Sequence, residues 1–135
     1  MATESTLVAA LVQALVSSGW TITGRAFQSS TRQPDVLATG PDGRVALIDT
    51  KVGDGQAHFA LIAQLDKLAH ELKEQKEQAG EAIDPRPVLV TNLEVGESVA
   101  KVAETVGVEI VQMQERQESP DSVARDVLER LAADG

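Results

Sequence analysis

The segment P-D-V-L-A-T-G-P-D-G-R-V-A-L-I-D-T-K, from Pro34 to Lys51, decides how this chain folds. Two short apolar runs, Asp35 to Thr39 and Arg44 to Ile48, flank Gly40-Pro41-Asp42-Gly43. Proline presets φ for the first turn position and glycine accepts a left-handed one, so the segment predicts a β-hairpin. Asp49 and Lys51 are two apart on the returning strand and project from one face. The hairpin folds Asp35 back beside Asp49, bringing the two carboxylates to the same end of the strand pair. Close carboxylates repel unless a cation sits between them. Oxygens from Asp35, Asp49 and the Thr50 carbonyl suit Mg²⁺, which keeps several waters and takes one or two carboxylates. Such an ion polarises a phosphodiester and lowers the pKa of a bound water. Lys51 would orient that water or neutralise charge developing in the transition state.

The acid-x-Lys spacing alone is weak evidence, since about one chance match is expected in a chain of this composition. It occurs at Asp49-x-Lys51, Glu71-x-Lys73 and Glu74-x-Lys76. The last two fall in a charged stretch and read as solvated surface. Context separates the first: an apolar strand precedes it, and Pro34-Asp35 opens the hairpin. The competing reading is a strand-end Asp and Lys that only pair with each other on the surface.

Working outward, Leu7, Val8, Leu11, Leu15 and Val16 recur at helical spacing, so a first helix should run from about residue 4 to Ser18. Trp20 to Phe27 alternates as a strand should, and Gln28 to Gln33 reads as a polar loop. After Gly53-Asp54-Gly55, the residues Phe59, Ile62, Leu65, Leu68, Ala69 and Leu72 form the stripe of a long helix with a solvated end at Glu71 to Gln78. Pro87 to Asn92 is a continuously apolar strand, as expected in a sheet covered on both faces. Glu97 to Val106 reads as a helix with Val99, Val102, Ala103 and Val106 inward, followed by a strand from Val108 to Met113. Ser119-Pro120 opens a last helix, Ser as N-cap and Pro at its first position, with Val123, Val127, Leu128 and Leu131 inward. The expected order is α-β-β-β-α-β-α-β-α, an α/β class, with no repeat and no linker.

The 135 residues fit one domain, expected to span 1–135, and suffice for a core without disulfides. Trp20, Phe27 and Phe59 are the only aromatics, so Val, Leu, Ile and Ala must build that core. Cysteine is absent, which excludes a disulfide framework and a Cys-based zinc site. The N-terminus lacks a basic signal-peptide region, and no apolar run approaches the roughly 18 residues of a membrane span, so the chain reads as cytoplasmic with no membrane partner. A net charge of −9 argues against a protein that coats DNA nonspecifically. Residues 1–70 hold six acids and five bases, residues 71–135 fifteen acids and seven bases. The acidic excess therefore lies in the half without the hairpin, and a polyanion can approach the other half at modest cost.

Pro34-Asp35 and Asp49-Thr50-Lys51, after a leading helix and strand and before a long helix, resemble the PD-(D/E)XK nuclease superfamily. The resemblance covers about residues 4–92. Residues 87 onward are similar to the later part of Holliday-junction resolvases and type IV restriction endonuclease domains. The resemblance implies a restriction-endonuclease-like mixed β-sheet flanked by helices, Mg²⁺- or Mn²⁺-dependent cleavage of branched or duplex DNA, and a homodimer. It makes Asp35 and Asp49 metal ligands and Lys51 the catalytic lysine. Resolvase-like members place a Glu on the first helix, where Glu4 is the candidate, although a helix dipole favours an acid there anyway. Some relatives use a polar residue on the helix after the lysine, where Gln64 stands; Gln56 is nearer in sequence but lies in the loop. His58 and His70 have no metal-ligand spacing, though His58 follows Lys51 closely enough to approach the site. The chain departs from the pattern in three ways: Asp49 stands where Glu is commoner, the net charge is strongly negative, and Arg25, Arg32 and Arg44 are all that mark a DNA track.

Three functions stay open on sequence. One is a Mg²⁺-dependent endonuclease. Another is a catalytically weak or inactive nuclease-like module acting as a binding or regulatory subunit, its acidic C-terminal half docking on a basic protein partner. The third is an unrelated acidic α/β domain whose Asp35 and Asp49 are surface hairpin residues.

Overall fold

A computed structural model describes residues 3–23, 34–113 and 119–133. The chain runs α1 (Glu4–Ser17), β1 (Thr21–Ile22), β2 (Val36–Thr39), β3 (Val45–Lys51), α2 (Phe59–Gln78), β4 (Arg86–Thr91), α3 (Glu97–Val106), β5 (Glu109–Gln112) and α4 (Pro120–Ala133). This is the expected order, element for element.

The strands form one five-stranded sheet in the order β1-β2-β3-β4-β5. β2 pairs antiparallel with β1 and with β3, whereas β3-β4 and β4-β5 are parallel. The β2-β3 hairpin closes through the Gly40 N–H donating to the Arg44 carbonyl (2.7 Å) and the Gly43 N–H donating to Gly40 (3.0 Å). Gly43 takes the positive φ, 87°, that its turn position requires. Gly40 is tight for another reason: a Cβ there would lie 3.1 Å from Asp42 Oδ1 and 3.2 Å from two ring atoms of Trp20, so these neighbours would have to shift by a few tenths of an ångström.

Period-two alternation along the strands sorts the core into two layers. Val36, Ala38, Ala46, Ile48, Val88 and Val90 face α1 and α4, packing on Leu7, Leu11, Leu15, Val123, Val127 and Leu131. Leu37, Val45 and Leu47 face α2 at Leu68, Ala69 and Leu72, and Leu89 meets Ile62, Leu65, Val99 and Ala103. Leu47 is wholly buried between the sheet and α2, and truncating it to Ala should cost about 2–5 kcal/mol. Caps fix where the helices begin. Thr3 and Thr6 form a reciprocal capping box on α1, and the Ser122 N–H donates to Ser119 Oγ (3.1 Å) at the start of α4.

Three expectations change. β1 is only Thr21–Ile22, and the remainder of the expected strand and the polar loop, residues 24–33, lie outside the described residues. Phe59 is 51% exposed rather than part of the α2 stripe. It is the first residue of α2 and lies about 60° around the axis from Ile62, on the flank away from Leu65 and Leu68. Val102 and Val106 are 39% and 38% exposed, because α3 covers the β5 margin of the sheet and only Val99 and Ala103 reach inward. No helix among the described residues is long and apolar enough to cross a membrane.

Candidate active site

The β2-β3 register pairs Val36 with Ile48, so one step further it sets Asp35 opposite Asp49. The two residues interlock at that step. The Asp35 N–H donates to Asp49 Oδ1 (2.9 Å), while Asp35 Oδ2 accepts from the Thr50 N–H (2.8 Å) and the Thr50 hydroxyl (3.0 Å). Each carboxylate thus holds the strand that carries the other. Asp49 is 4% exposed and Asp35 is open to solvent, so one acid is set into the sheet and the other stands at its lip.

A cavity of about 250 Å³ opens over this pair, lined by Glu4, Asp35, Asp49, Thr50, Lys51 and Gln64, with Leu61 and Leu89 as its apolar wall. All six residues singled out from the sequence as catalytic or metal-ligating therefore border one cavity. Different elements deliver them. Asp49 and Lys51 lie on the α2 side of β3, where α2 presents Leu61 and Gln64 one turn apart on its flank. Glu4 comes from the first turn of α1 on the opposite side of the sheet, and its Oε2 accepts from the Val52 N–H (3.3 Å) just past the end of β3. Glu4 thereby joins the cavity by reaching round the strand end. Leu61 was not singled out by sequence reasoning, although its place three residues before Gln64 is enough to put it on the same wall.

The close carboxylates need less compensation than charge alone suggests. Three N–H or O–H donors stabilise them, so part of their repulsion is offset within the sheet. Among the described residues, no three acidic or imidazole groups draw close enough to cage an ion. Mg²⁺ makes no such demand: two carboxylates with a carbonyl and waters satisfy it, and Asp35 Oδ1 accepts no hydrogen bond among the described residues. The donor set fits a hard divalent cation bound largely by water and poorly fits a softer ion that seeks nitrogen or sulfur.

Other sequence candidates lie elsewhere. His58 precedes α2 as its N-cap residue and does not line the cavity; His70 is exposed, its Nδ1 2.9 Å from the Asp66 carbonyl. Gln56 bridges to Glu94. Arg44 immediately precedes β3, on the order of 20 Å along the strand direction from Lys51. Its Nη1 donates to the Leu131 carbonyl (2.7 Å) and its Nε meets Asp42 (2.7 Å), so it cannot serve as a DNA track beside the carboxylates. Arg25 and Arg32 lie outside the described residues. A larger cavity, about 540 Å³, lies at the Arg44 end beside His70, Lys73, Asp84 and Arg86. There the guanidinium groups already hold carbonyls and carboxylates.

No known protein family matches the sequence, and no curated protein does either. Solved structures do. A repair endonuclease from Pyrococcus abyssi superposes with a TM-score of 0.58 at 19% identity, over 84% of this chain and 47% of that one. EndoMS in complex with double-stranded DNA gives 0.55 at 19% identity, over 84% and 46%. A protein of unknown function gives 0.53 at 15% identity, over 92% and 67%. The chain spans about half the length of the two nuclease structures. At these identities the likeness speaks for the fold alone: a mixed five-stranded sheet between helices, the restriction-endonuclease-like architecture.

Proposed function

We propose that this chain is a divalent-metal-dependent nuclease acting on DNA, with its reactive centre at the Asp35–Asp49 end of the hairpin. The observation that carries the reading is the interlock of the two carboxylates at the mouth of one cavity shared with Glu4, Lys51 and Gln64. Asp35, Asp49 and the Thr50 carbonyl would hold Mg²⁺ or Mn²⁺, which when bound polarises a phosphodiester and acidifies a water. Asp49, set into the sheet, fixes the position of the charge. Asp35, exposed at the lip, meets the substrate side. Lys51 is engaged in no ion pair among the described residues and extends into solvent, suited to neutralising negative charge that develops on the phosphate. Gln64 offers a neutral donor and acceptor to orient a water or a phosphate oxygen.

Duplex DNA is the substrate class that the likeness to the EndoMS complex suggests, and branched DNA the one that the resolvase resemblance suggests. A homodimer would set two such sites about a two-fold axis for paired scissions; light scattering near 14.3 kDa across micromolar concentrations would count against it. The deciding experiment is a thermal melt in EDTA and in Mn²⁺, beside a cleavage assay on linear and branched DNA. A melting temperature indifferent to Mn²⁺ would remove the metal site and the nuclease reading with it. A clear Mn²⁺ shift without cleavage would favour the binding-subunit reading, which also draws on the excess of eight negative charges in residues 71–135.

A further inference from the structure

β3 ends at Lys51, which still pairs with Thr91 of β4, and past that point side chains take over much of the bonding to the backbone. The Lys51 carbonyl accepts from the Thr91 hydroxyl (2.8 Å) and, at 3.4 Å, from the Asn92 N–H. One residue on, the Val52 N–H is taken by Glu4. At Gly53 the carboxamide of Asn92 makes a two-pronged contact: Oδ1 accepts from the Gly53 N–H (2.9 Å) and Nδ2 donates to the Gly53 carbonyl (3.1 Å). Only one orientation of the amide pairs donor with acceptor on both prongs, and no other side chain of this size and charge does the same.

The tail of β4 that supplies these groups is itself fixed from behind. Thr91 is fully buried, and its hydroxyl also accepts from the Leu93 N–H (3.0 Å). Gln112, at the end of β5, sends its Nε2 to the Leu93 carbonyl (2.8 Å) and, at 3.3 Å, to that of Thr91. A continuous run of hydrogen bonds therefore leads from β5 through the β4 tail to the peptides that follow Lys51. Such bonds cost little to leave unmade in exposed loops, yet here they sit beside the cavity and hold the one lysine that borders it.

We infer that Asn92 is a positioning residue of the active site: it fixes the Lys51–Gly53 backbone so that the ammonium group meets the cavity, with Thr91 as its buried support. The inference rests on the nuclease reading for what Lys51 does, but the geometry it asserts stands apart from that reading. Misplacing a reacting group by about 1 Å can cost on the order of 100-fold in rate without weakening ground-state binding. The Asn92 side chain bonds to Gly53 and does not itself line the cavity, so its loss should leave substrate and metal affinity in place.

The test compares the wild type with Asn92→Ala, Asn92→Asp and Thr91→Val. In Asn92→Ala, hydrogen exchange in the peptide covering residues 51–55 is expected to rise at least tenfold, with residues 45–49 unchanged. On a cleaved DNA, kcat should fall on the order of 10- to 100-fold while KM and the Mn²⁺ midpoint stay within twofold. Asn92→Asp keeps the acceptor prong and loses the donor prong, so it should fall between wild type and Asn92→Ala in both readouts. Thr91→Val keeps the shape and removes the hydroxyl, and should reproduce the local exchange. Unchanged exchange at 51–55, or raised exchange with full kcat, would overturn the inference. A wild type that cuts no DNA would defeat the nuclease reading instead, and localised exchange would then still establish Asn92 as the anchor of this backbone.

Discussion

Where β3 and β4 begin, Arg44 and Arg86 both donate to the Leu131 carbonyl near the end of α4, and Arg86 and Arg130 share Glu109 at 2.8 and 3.2 Å. Arg130 also meets Asp126 (3.2 Å), and although partial burial works against its charge, its two acidic partners raise its pKa. Where the same strands end, Asp35 and Asp49 accept from backbone and hydroxyl donors, and Lys51 stands at the cavity without a carboxylate partner among the described residues. Both ends carry charge of both signs. At the first, opposite charges close on one another and cap a helix, an arrangement that stabilises the fold. At the second, the backbone sets the position of the charges while a cavity of about 250 Å³ faces them. Preorganised charge held by fixed dipoles is what an electrostatic catalyst requires. On the proposed nuclease reading, function sits at the smaller cavity and not at the larger one.

The largest effect that can break this contrast is at Asp49. Asp49→Asn keeps an oxygen for the Asp35 N–H and removes the charge, so the fold should persist while metal-dependent cleavage falls on the order of 1000-fold. Asp49→Ala would be a poorer test, because it also strands that N–H. Lys51→Ala should lose on the order of 100-fold or more in kcat and keep its Mn²⁺-induced stabilisation. A charge-neutral Asp49 that still cuts DNA would mean that the two ends differ in shape but not in task.

The second test is at the other end. Arg86→Met retains much of the aliphatic stem and removes hydrogen bonds to Arg130, Leu131 and Glu109. Hydrogen bonds to charged groups of this kind contribute about 1.5–3 kcal/mol, so the melting temperature should drop by roughly 5–10 °C with cleavage at 25 °C unchanged. Loss of activity without loss of stability would place function at the Arg end and invert the comparison.

Much of this was legible before any coordinates. The Pro41-Asp42-Gly43 turn fixes the hairpin, the hairpin fixes the register, and the register sets Asp35 opposite Asp49. Helix caps and apolar periods give the order of elements. What periodicity cannot supply is which part of a helix the sheet reaches, and so Phe59, Val102 and Val106 read as core yet are exposed. Nor can it tell a binding arginine from a structural one: Arg44 becomes structural only once α4 returns to place the Leu131 carbonyl beside it. Asn92 was invisible for the same reason, since Gly53 lies 39 residues away and meets it only through the parallel pairing of β3 with β4.

Glu4 offers the smallest and most discriminating effect, because it belongs to both descriptions at once. Its Oε2 holds the Val52 N–H, as a structural group would, and it borders the cavity, as a reactive one would. Glu4→Gln separates the two. A glutamine oxygen can accept the same hydrogen bond, so the backbone after Lys51 should keep its place and the melting temperature in EDTA should move by no more than about 2 °C, the weak loss expected of an acid near a helix N-terminus. The charge, however, is gone. If that charge contributes to holding the metal or tuning its water, kcat should fall about tenfold and the Mn²⁺ midpoint should rise, both at unchanged stability. If Glu4 serves only to fix Val52, the glutamine variant will match the wild type in every readout while Glu4→Ala loses activity through a loosened Lys51 segment. In that case the carboxylates of the site number two, and the contrast between the ends of the sheet rests on Asp35 and Asp49 alone.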